Sequence, residues 1–239
     1  MLAELIRSNQ PCVALTGAGT STESGIPDFR SAAGVWAQYD PYEVASIDGF
    51  RRDPGRVWEF YALRLGVLEA AQPNEGHRAL AALEHGGWIQ GLITQNVDRL
   101  HEAAGSADVI EVHGSLRTAN CLGCGRAERM EDVVARLPVP RCLHCDALLK
   151  PGVVMFGEEL PAAMIDSAIR LAEGAALLLV VGSSLEVWPV AGLPASTLER
   201  GGRLAIVNRD PTAYDASAAL VIHASAGDVL AGVARAFSS

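Results

Sequence analysis

Four of the five cysteines form two close pairs whose spacing suits a metal ion. Two residues separate Cys121 from Cys124 and Cys142 from Cys145, and 17 residues lie between the pairs. This spacing falls within the C-x2-C-x15–20-C-x2-C window typical of zinc sites. Because four thiolates complete a tetrahedron and leave no open position, we expect one structural Zn²⁺ ion. The fifth cysteine, Cys12, is predicted to be a buried apolar residue of a strand.

A nucleic-acid-binding zinc ribbon is the alternative for this spacing. Residues 116–150 mix arginines with acidic residues and contain no aromatic residue, which argues against a base-stacking surface. The net charge of −9, from 19 basic and 28 acidic residues, argues against non-specific nucleic-acid binding and would suit basic partners. We therefore expect no specific nucleic-acid partner.

A glycine turn could bind a diphosphate. The apolar run Cys12–Thr16 leads directly into Gly17-Ala18-Gly19-Thr20. A strand followed by a glycine turn and a helix start presents backbone N–H groups to an anion. Thr22 replaces the third glycine of the G-x-G-x-x-G pattern, so a tight strand–helix turn without a ligand stays open as the alternative.

Three polar residues follow the apolar run Trp88–Thr94, where a parallel strand would end. Gln95, Asn96 and Asp98 would then stand at the carboxyl edge of the sheet, where doubly wound sheets place their sites. Helix capping is the alternative for Asn96 or Asp98, but it does not account for three adjacent groups. His113 ends the next apolar run and precedes a glycine, which suits a general base.

Apolar runs alternate with helical patterns along the chain, which predicts an α/β fold with a doubly wound, Rossmann-like parallel sheet. The predicted strands are Cys12–Thr16, Trp88–Thr94, Val109–Val112, Val153–Phe156, Leu177–Val181, Arg203–Val207 and Leu220–His223. The predicted helices are Pro54–Ala71, Asn74–His85, Val97–Ala104, Pro161–Glu173, Pro189–Arg200 and Asp228–Phe237.

Two segments interrupt this alternation and predict a small second lobe. Residues 31–73 are too long for a simple crossover and are predicted to be a helical insertion, and residues 116–150 form the zinc module. The large lobe of a single catalytic domain would then comprise residues 1–30, 74–115 and 151–239. Ligands bind at domain interfaces and strand ends, so we expect a cleft there.

Composition excludes several classes of protein. With 49% hydrophobic residues, the 239-residue chain can form a large core, which excludes a disordered or fibrous protein. The longest apolar run, Ala175–Val181, is far shorter than the ~20 residues that span a bilayer. The first residues lack the apolar region of a signal peptide. We therefore expect a cytoplasmic protein without a membrane partner. The sequence does not predict an oligomeric state and is compatible with a monomer.

Six ordered motifs give the chain a resemblance to the sirtuin family, bacterial type, of NAD-dependent protein-lysine deacylases. The family signature opens with the glycine turn and continues through SGIPDFR. The matching segments are Gly17–Gly19 with Ser24–Arg30, Thr94–His101, Val112–Gly114, Phe156–Glu158, Gly182–Leu185 and Val207–Asn208. Chance would explain one of these segments but not the ordered series.

The resemblance implies that NAD is a consumed co-substrate and that acyl-lysine proteins or peptides are the partners. The acyl oxygen would attack the ribose carbon as nicotinamide leaves, and His113 would activate a ribose hydroxyl that takes the acyl group. Catalytic roles fall on His113, Asn96 and Asp98. The implied NAD-binding residues are Gly17, Ala18, Gly19, Thr20, Asp28, Phe29, Arg30, Gln95, Asn96, Asp98, His113, Gly182, Ser183, Ser184, Asn208, Arg209, Asp210 and Ala226.

The same resemblance implies an acyl pocket and a peptide-binding segment. Tyr61 and Arg64 share a helix face and match the Tyr-x-x-Arg of desuccinylating and demalonylating sirtuins, in which a small residue such as Ala45 widens the pocket. An arginine fork suits a carboxylate. Packing of Tyr61 with a solvent-directed Arg64 is the alternative. An extended peptide would pair with two segments, so the substrate residues are Ala45, Tyr61, Arg64, Val154, Phe156, Gly157, Glu158, Leu185, Glu186 and Val187.

Three other functions are alternatives to lysine deacylation. A dehydrogenase would commonly place an acidic residue about 20 residues after the glycines, and Asp40 and Glu43 fall in the irregular insertion instead. A protein mono-ADP-ribosyltransferase would use the same NAD site with another acceptor. A non-enzymatic NAD or ADP-ribose sensor would not need His113. The peptide segments favour deacylation of acetyl-lysine and, through the pocket, of succinyl- and malonyl-lysine.

Overall fold

The computed structural model describes residues 1–238, with side chains described to residue 237. The strands are β1 Cys12–Thr16, β2 Leu92–Thr94, β3 Val109–Glu111, β4 Gly114–Cys121, β5 Ala127–Arg129, β6 Leu149–Val153, β7 Leu177–Val181, β8 Arg203–Val207 and β9 Leu220–Ile222. The helices are α1 Leu2–Ser8, α2 Pro41–Val44, α3 Ile47–Arg52, α4 Pro54–Ala70, α5 Glu75–His85, α6 Leu100–Ala103, α7 Met130–Val134, α8 Ala162–Gly174, α9 Leu193–Glu199 and α10 Ala226–Ser238.

Six strands form a parallel sheet in the order β3-β2-β1-β7-β8-β9. Numbered within this sheet, the order is 3-2-1-4-5-6, the doubly wound order with a switch point between its first and fourth strands. Every residue of the central strands β1 and β7 is buried, as expected for a parallel sheet covered on both faces. The predicted α/β fold is therefore confirmed.

Several predicted elements differ from the structure. The strand predicted at Val153–Phe156 is wrong, because the strand there is β6, which ends at Val153 and belongs to an antiparallel sheet of order β5-β4-β6. A 3-10 helix, Ala18–Ser24, follows the glycine turn in place of the expected helix start. The strand predicted from Trp88 begins only at Leu92, and the N–H groups of Trp88 and Ile89 donate to the Leu83 oxygen of α5.

Helix ends were less predictable than strand cores. The helix expected from Val97 begins at Leu100 because Arg99, at φ 65°, interrupts the helical backbone. The helix expected from Pro189 begins with the 3-10 turn Val190–Gly192 and continues as α9. Helices α4, α5, α8 and α10 match their predictions to within about two residues, which is the ordinary spread of boundary assignment.

The chain divides into two compact units. The first comprises residues 1–27, 72–112 and 161–239 and contains the parallel sheet; the second comprises residues 28–71 and 113–160 and contains the antiparallel sheet with α2, α3, α4 and α7. The lobe boundaries predicted from the sequence stay predictions. Among residues 1–238, no helix combines the length and the apolar character that a membrane crossing requires.

Candidate functional site

Two glycine turns interlock where β1 and β7 end in the first unit. Gly17 and Gly19 follow β1, and Gly182 follows β7 at φ 59°. A Cβ atom at Gly17 would lie 2.8 Å from the Gly182 oxygen, and one at Gly182 would lie 2.2 Å from the Thr20 nitrogen. The Gly19 N–H group donates to the Gly182 oxygen at 2.8 Å. The glycines are therefore required by contact between the two turns, at the switch point where such sheets bind ligands.

Polar side chains converge on Ser21 next to these turns. The Ser21 hydroxyl donates to Asp98 Oδ2 at 2.6 Å and accepts from Asn96 Nδ2 at 3.1 Å. Asn96 Nδ2 also donates to the Gly17 oxygen at 3.1 Å. Asp98 Oδ1 accepts from the Leu100 N–H at 2.9 Å, although the N-cap residue of α6 is Arg99. Asp98 therefore fixes both the start of this helix and Ser21, and its role toward a ligand stays a prediction.

Two buried histidines complete this network. Asn74 is the N-cap residue of α5, and its N–H group donates to His77 Nδ1 at 3.3 Å. The hydrogen of neutral His77 therefore lies on Nε2, which contacts the Ser21 hydroxyl at 3.3 Å. Burial lowers the pKa of His77 to about 4, although Asp98 opposes the shift. Burial likewise lowers the pKa of His101 to about 3, so both rings are neutral near pH 7.

His101 joins the ends of β1 and β2. Its Nε2 atom lies 2.9 Å from the Thr16 hydroxyl, which donates to the Thr94 hydroxyl at 2.8 Å. Its ring centroid lies 4.8 Å from that of His77. Neither Ser21 nor His77 stands out in the sequence, and His101 does so only as the last residue of the matched segment Thr94–His101. The Asn-x-x-His spacing that begins α5 is a capping signal, but it does not reveal which hydroxyl the imidazole faces.

Gln95 and Ser183 connect the carboxyl ends of β2 and β7. Gln95 Nε2 donates to the Ser183 hydroxyl at 2.8 Å, and the Ser183 hydroxyl accepts from the Leu185 N–H at 3.2 Å. Leu185 is buried with φ 55°, a conformation that only a fixed loop imposes on a leucine. The structure thus brings together Gly17, Gly19, Gln95, Asn96, Asp98, Gly182 and Ser183. Glu186 is exposed and Ser184 is half-buried.

The loop after β8 is tied down at several points. Asn208 Nδ2 donates to the Asp210 oxygen at 2.8 Å, and the Asn208 oxygen contacts His223 Nδ1 at 3.0 Å. Arg209 and Asp210 are exposed, whereas Ala226 is buried at the start of α10. These four candidate nucleotide residues therefore stand on a fixed loop and at a helix start.

In the second unit, the segment after the signature Pro27 forms a polar turn. Asp28 Oδ1 accepts from the N–H groups of Arg30 at 3.1 Å and Ser31 at 2.8 Å. The Phe29 ring lies 5.0 Å from the Trp36 ring. Asp28 thus fixes the backbone that carries the candidate NAD residues Phe29 and Arg30.

The candidate acyl residues lie close together in this unit. The Phe156 N–H donates to the Ala45 oxygen at 2.9 Å. Tyr61 is 6% exposed, and burial raises its pKa, with Arg64 opposing the shift and Glu158 adding to it. The Arg64 guanidinium carbon lies 4.9 Å from the Phe29 ring centre and 5.7 Å from that of Phe60. A charged fork among aromatic rings is compatible with both interpretations of Arg64.

His113 is half-buried at the turn between β3 and β4. Its oxygen accepts from the Val154 N–H at 2.8 Å. The next residue, Gly114, has φ 73°, and a Cβ atom there would lie 2.4 Å from the Gly152 oxygen. Backbone contact between β4 and β6 therefore explains the glycine and fixes the chain that carries the imidazole.

The four paired cysteines form one cluster. Their sulfur atoms all lie within 4.8 Å of one another, with 3.4 Å between Cys121 and Cys145 and 3.7 Å between Cys124 and Cys142. Tetrahedral Zn–S bonds of ~2.3 Å would place sulfurs about 3.8 Å apart, so the geometry fits zinc. The N–H groups of Gly123 and Cys124 donate to Cys121 Sγ at 3.3 and 3.4 Å, which favours the thiolate form that metals bind.

Comparison with known proteins identifies the family. The model of the Sir2 family matches residues 17–189. The NAD-dependent protein deacylase 1 of Archaeoglobus fulgidus is 44% identical over 234 residues, which cover 98% of this chain and 96% of the relative. A solved mutant of a Sir2 homologue in complex with ADP-ribose has a TM-score of 0.96 at 43% identity, covering 99% of this chain and 95% of that one. The structure of Sir2Tm bound to a propionylated peptide has a TM-score of 0.91 at 39% identity, covering 99% of this chain and 97% of that one. The chain therefore belongs to the Sir2 family.

Proposed function

We propose that this protein removes acyl groups from lysine side chains of proteins and consumes NAD in doing so, releasing nicotinamide and O-acyl-ADP-ribose. The observation that carries the proposal is the pair of interlocked glycine turns with the Ser21 network beside them, in a member of the Sir2 family. Support comes from relatives named as NAD-dependent deacylases and from the homologue structure with a propionylated peptide.

The first unit is assigned to the dinucleotide. Gly17 to Thr20 and Gly182 to Ser184 take the diphosphate, because their small side chains let a ligand approach the backbone. Gln95, Asn96 and Asp98 take the nicotinamide ribose. The adenosine end of NAD is assigned to Asn208, Arg209, Asp210 and Ala226. The segment after the signature contributes Asp28, Phe29 and Arg30 to the NAD site.

NAD supplies an already activated glycosidic bond and an ADP-ribose moiety that accepts the acyl group. The protein then contributes orientation and charge placement. His113 is assigned the general-base role toward a ribose hydroxyl, and a half-buried imidazole suits proton transfer near neutral pH. Asn96 and Asp98 need no proton transfer, since an amide and a hydrogen-bonded carboxylate orient the sugar.

The peptide is assigned to the segments around Gly157 and Val187, paired through the backbone. The backbone of Phe156 is already used, because its N–H donates to Ala45 and its oxygen accepts from Ile47. Within residues 1–238, the backbone of Gly157 has no such partner. The N–H groups of Val154 and Glu158 are also used, because they donate to the oxygens of His113 and Met155. We therefore assign the pairing to Gly157 on one side and to Leu185, Glu186 and Val187 on the other, with the Phe156 ring left for the acyl group.

Nicotinamide release tests the function. We expect release from NAD only when an acetyl-, malonyl- or succinyl-lysine peptide is present, with O-acyl-ADP-ribose as the product detected by mass spectrometry. His113→Ala should lower kcat by at least about 100-fold, the usual contribution of a general base. ADP-ribose attached to protein, without free acyl-ADP-ribose, would instead identify a mono-ADP-ribosyltransferase. Unchanged biological effect in a His113→Ala protein would identify a sensor.

Arg64 decides the acyl range. We propose that its guanidinium, with the Tyr61 hydroxyl, holds the acid end of a succinyl or malonyl group, in addition to acetyl activity. Arg64→Met should lower kcat/KM for a succinyl peptide by about 10- to 100-fold, since a charged hydrogen bond contributes roughly 1.5–3 kcal/mol. Arg56→Met is the matched control, because Arg56 lies on the same helix in an exposed pair with Glu59. Absent or unchanged succinyl activity would contradict the assignment.

A cytoplasmic location is part of the proposal. The cysteines of the cluster carry no disulfide, which suits a reducing compartment.

A further inference from the structure

A lysine is buried in the second unit near the start of β6. Lys150 is 5% exposed. Its ammonium lies 3.0 Å from the Pro151 oxygen, 2.6 Å from the Val153 oxygen and 2.9 Å from Glu158 Oε2. An ammonium has three hydrogens, so three acceptors satisfy it completely. Burial lowers the pKa of Lys150 and the Glu158 carboxylate opposes this shift.

The same carboxylate oxygen holds a tight turn. Glu158 Oε2 accepts from the Met155 N–H at 2.9 Å, and the Glu158 N–H donates to the Met155 oxygen at 3.0 Å. Gly157, inside this turn, has φ 86°. The turn Met155–Glu158 is therefore closed by a backbone bond, by a carboxylate and, through that carboxylate, by the lysine.

This turn carries a wall of the candidate acyl pocket. Phe156 stands at its tip, with its backbone bonded to Ala45 and Ile47 and its ring 6.4 Å from that of Trp36. Tyr61 is close enough to Glu158 and Arg64 for both charges to affect its hydroxyl. The lysine itself stands behind the turn, because its side chain is only 6% exposed.

A buried ion pair is a costly way to stabilise a fold. Taking both charges out of water can cancel their attraction, and well-packed apolar residues often do as well. A charged pair does give one fixed geometry, since Glu158 can satisfy Lys150 and the Met155 N–H together only when the turn is closed. Positioning therefore accounts for the pair better than stability does.

We propose that Lys150 is a positioning residue for the acyl-lysine substrate, which acts through Glu158 to keep the Met155–Glu158 turn closed so that Phe156 and Gly157 are in place when the peptide arrives. This inference rests on the proposed deacylase function. Lys150 does not touch substrate or NAD in this proposal; its effect is transmitted by one carboxylate.

The test compares steady-state constants of the wild type and four variants with an acetyl-lysine peptide and NAD. Lys150→Met removes the charge and keeps a chain of similar length. We expect the KM for peptide to rise by about tenfold or more, as small misplacements do, while the KM for NAD changes by less than about twofold, since only peptide binding is altered. Lys150→Arg should keep the charge and restore most of the peptide affinity.

Lys150→Met/Glu158→Gln removes both charges and guards against misfolding of the single variant. It should melt close to the wild type, since no uncompensated charge is left, yet keep the raised KM for peptide. Arg136→Met is the matched control, because it breaks another partly buried ion pair of the same unit, with Glu128. It should lower the melting temperature without changing the KM for peptide.

Three results would overturn the inference: an unchanged KM for peptide in a folded Lys150→Met protein, an equal rise in both KM values, or a wild-type KM for peptide in the double variant. Failure of the proposed function is a separate result. It would show as wild-type protein that releases no nicotinamide with any acyl peptide, before any variant is compared.

Discussion

The two units organise their polar residues by different physical means. In the first unit, steric contact between glycine turns and hydrogen bonds that join Ser21 to His77, Asn96 and the Asp98 carboxylate hold the candidate NAD site. In the second unit, the Lys150–Glu158 ion pair and four clustered sulfur atoms hold the backbone. The first arrangement keeps its two buried histidines neutral beside one half-buried carboxylate, whereas the second depends on charges that must be compensated.

This difference indicates how each unit should respond to change. Each hydrogen bond that a substitution removes from the network of the first unit should lower the free energy of unfolding by roughly 0.5–1.5 kcal/mol. A compensated charge leaves its partner unpaired when it is removed, which costs several kcal/mol. The second unit should therefore be sensitive to metal and charge removal, and the first to added volume and to protonation.

Zinc removal is expected to have the largest effect, since structural zinc in small modules contributes roughly 10–16 kcal/mol of folding free energy. Chelation, or Cys145→Ser, should abolish deacylation and loosen the second unit. Trp58 would report this, because it is fully buried and its Nε1 donates to the Leu149 oxygen of β6 at 2.9 Å. We expect a red shift of tryptophan emission in the wild type that is reduced in Trp58→Phe.

Cys12→Ala is the matched control for the metal. Cys12 is the buried cysteine of β1, and burial raises its pKa to about 12, so it is a poor ligand. This variant should keep one zinc ion per chain by elemental analysis. A chelated protein with full activity and unshifted emission would contradict the structural role of the cluster.

A methyl group at Gly182 is expected to have the next largest effect. Its Cβ atom would meet the Thr20 nitrogen at 2.2 Å, so the two turns must separate. Gly182→Ala should lose measurable NAD binding by calorimetry and at least about 3 kcal/mol of unfolding free energy, as strained overpacking does. Gly201→Ala is the control: Gly201 also has positive φ, at 84°, but a Cβ atom there meets nothing within 4 Å.

Gly201→Ala should lower the free energy of unfolding by only roughly 1–2 kcal/mol, which is the cost of a left-handed backbone conformation for alanine. Its NAD affinity should be unchanged. Equal losses in the two variants would mean that backbone conformation, and not contact between turns, is what requires glycine at 182.

Sequence patterns predicted those parts of the molecule that depend on local rules. Apolar runs bounded by turn residues gave β1, β7 and β8 to the residue, and strand ends placed Gln95, Asn96 and Asp98 correctly at the sheet edge. Cysteine spacing predicted a cluster that the structure contains. Each of these signals lies within a few residues of the feature that it predicts.

The parts that sequence did not reveal depend on contacts between distant residues. Ser21 and His77 meet across 56 positions, and Thr16 meets His101 across 85. The strand expected at Val153–Phe156 failed because its apolar pattern does not tell a parallel strand from the end of an antiparallel one. The buried Lys150 broke the expectation that lysine is exposed, and no spacing rule finds its partner.

Acidification is expected to have the smallest effect per residue and to act through the first unit. His77 and His101 have folded pKa values of about 4 and about 3, against ~6.5 in the unfolded chain. The unfolded state therefore binds these protons first, so stability is complete above about pH 6.5 and is lost as the pH falls. Between pH 7 and pH 5, linkage gives a loss of about 2 kcal/mol for each histidine.

Urea unfolding at the two pH values measures this loss, and His101→Gln separates the two rings. The variant should keep about half of the pH dependence, because His77 still titrates. Protonated His77 could no longer accept the bond from the Asn74 N–H group at the start of α5, so the affinity of the folded protein for ADP-ribose should fall only as the pH approaches the His77 pKa of about 4. His85→Gln is the matched histidine control, since His85 lies at an exposed helix end, outside the buried pair. A loss between pH 7 and pH 5 that is equal in the wild type and His101→Gln would show that His101 contributes nothing to the acid sensitivity.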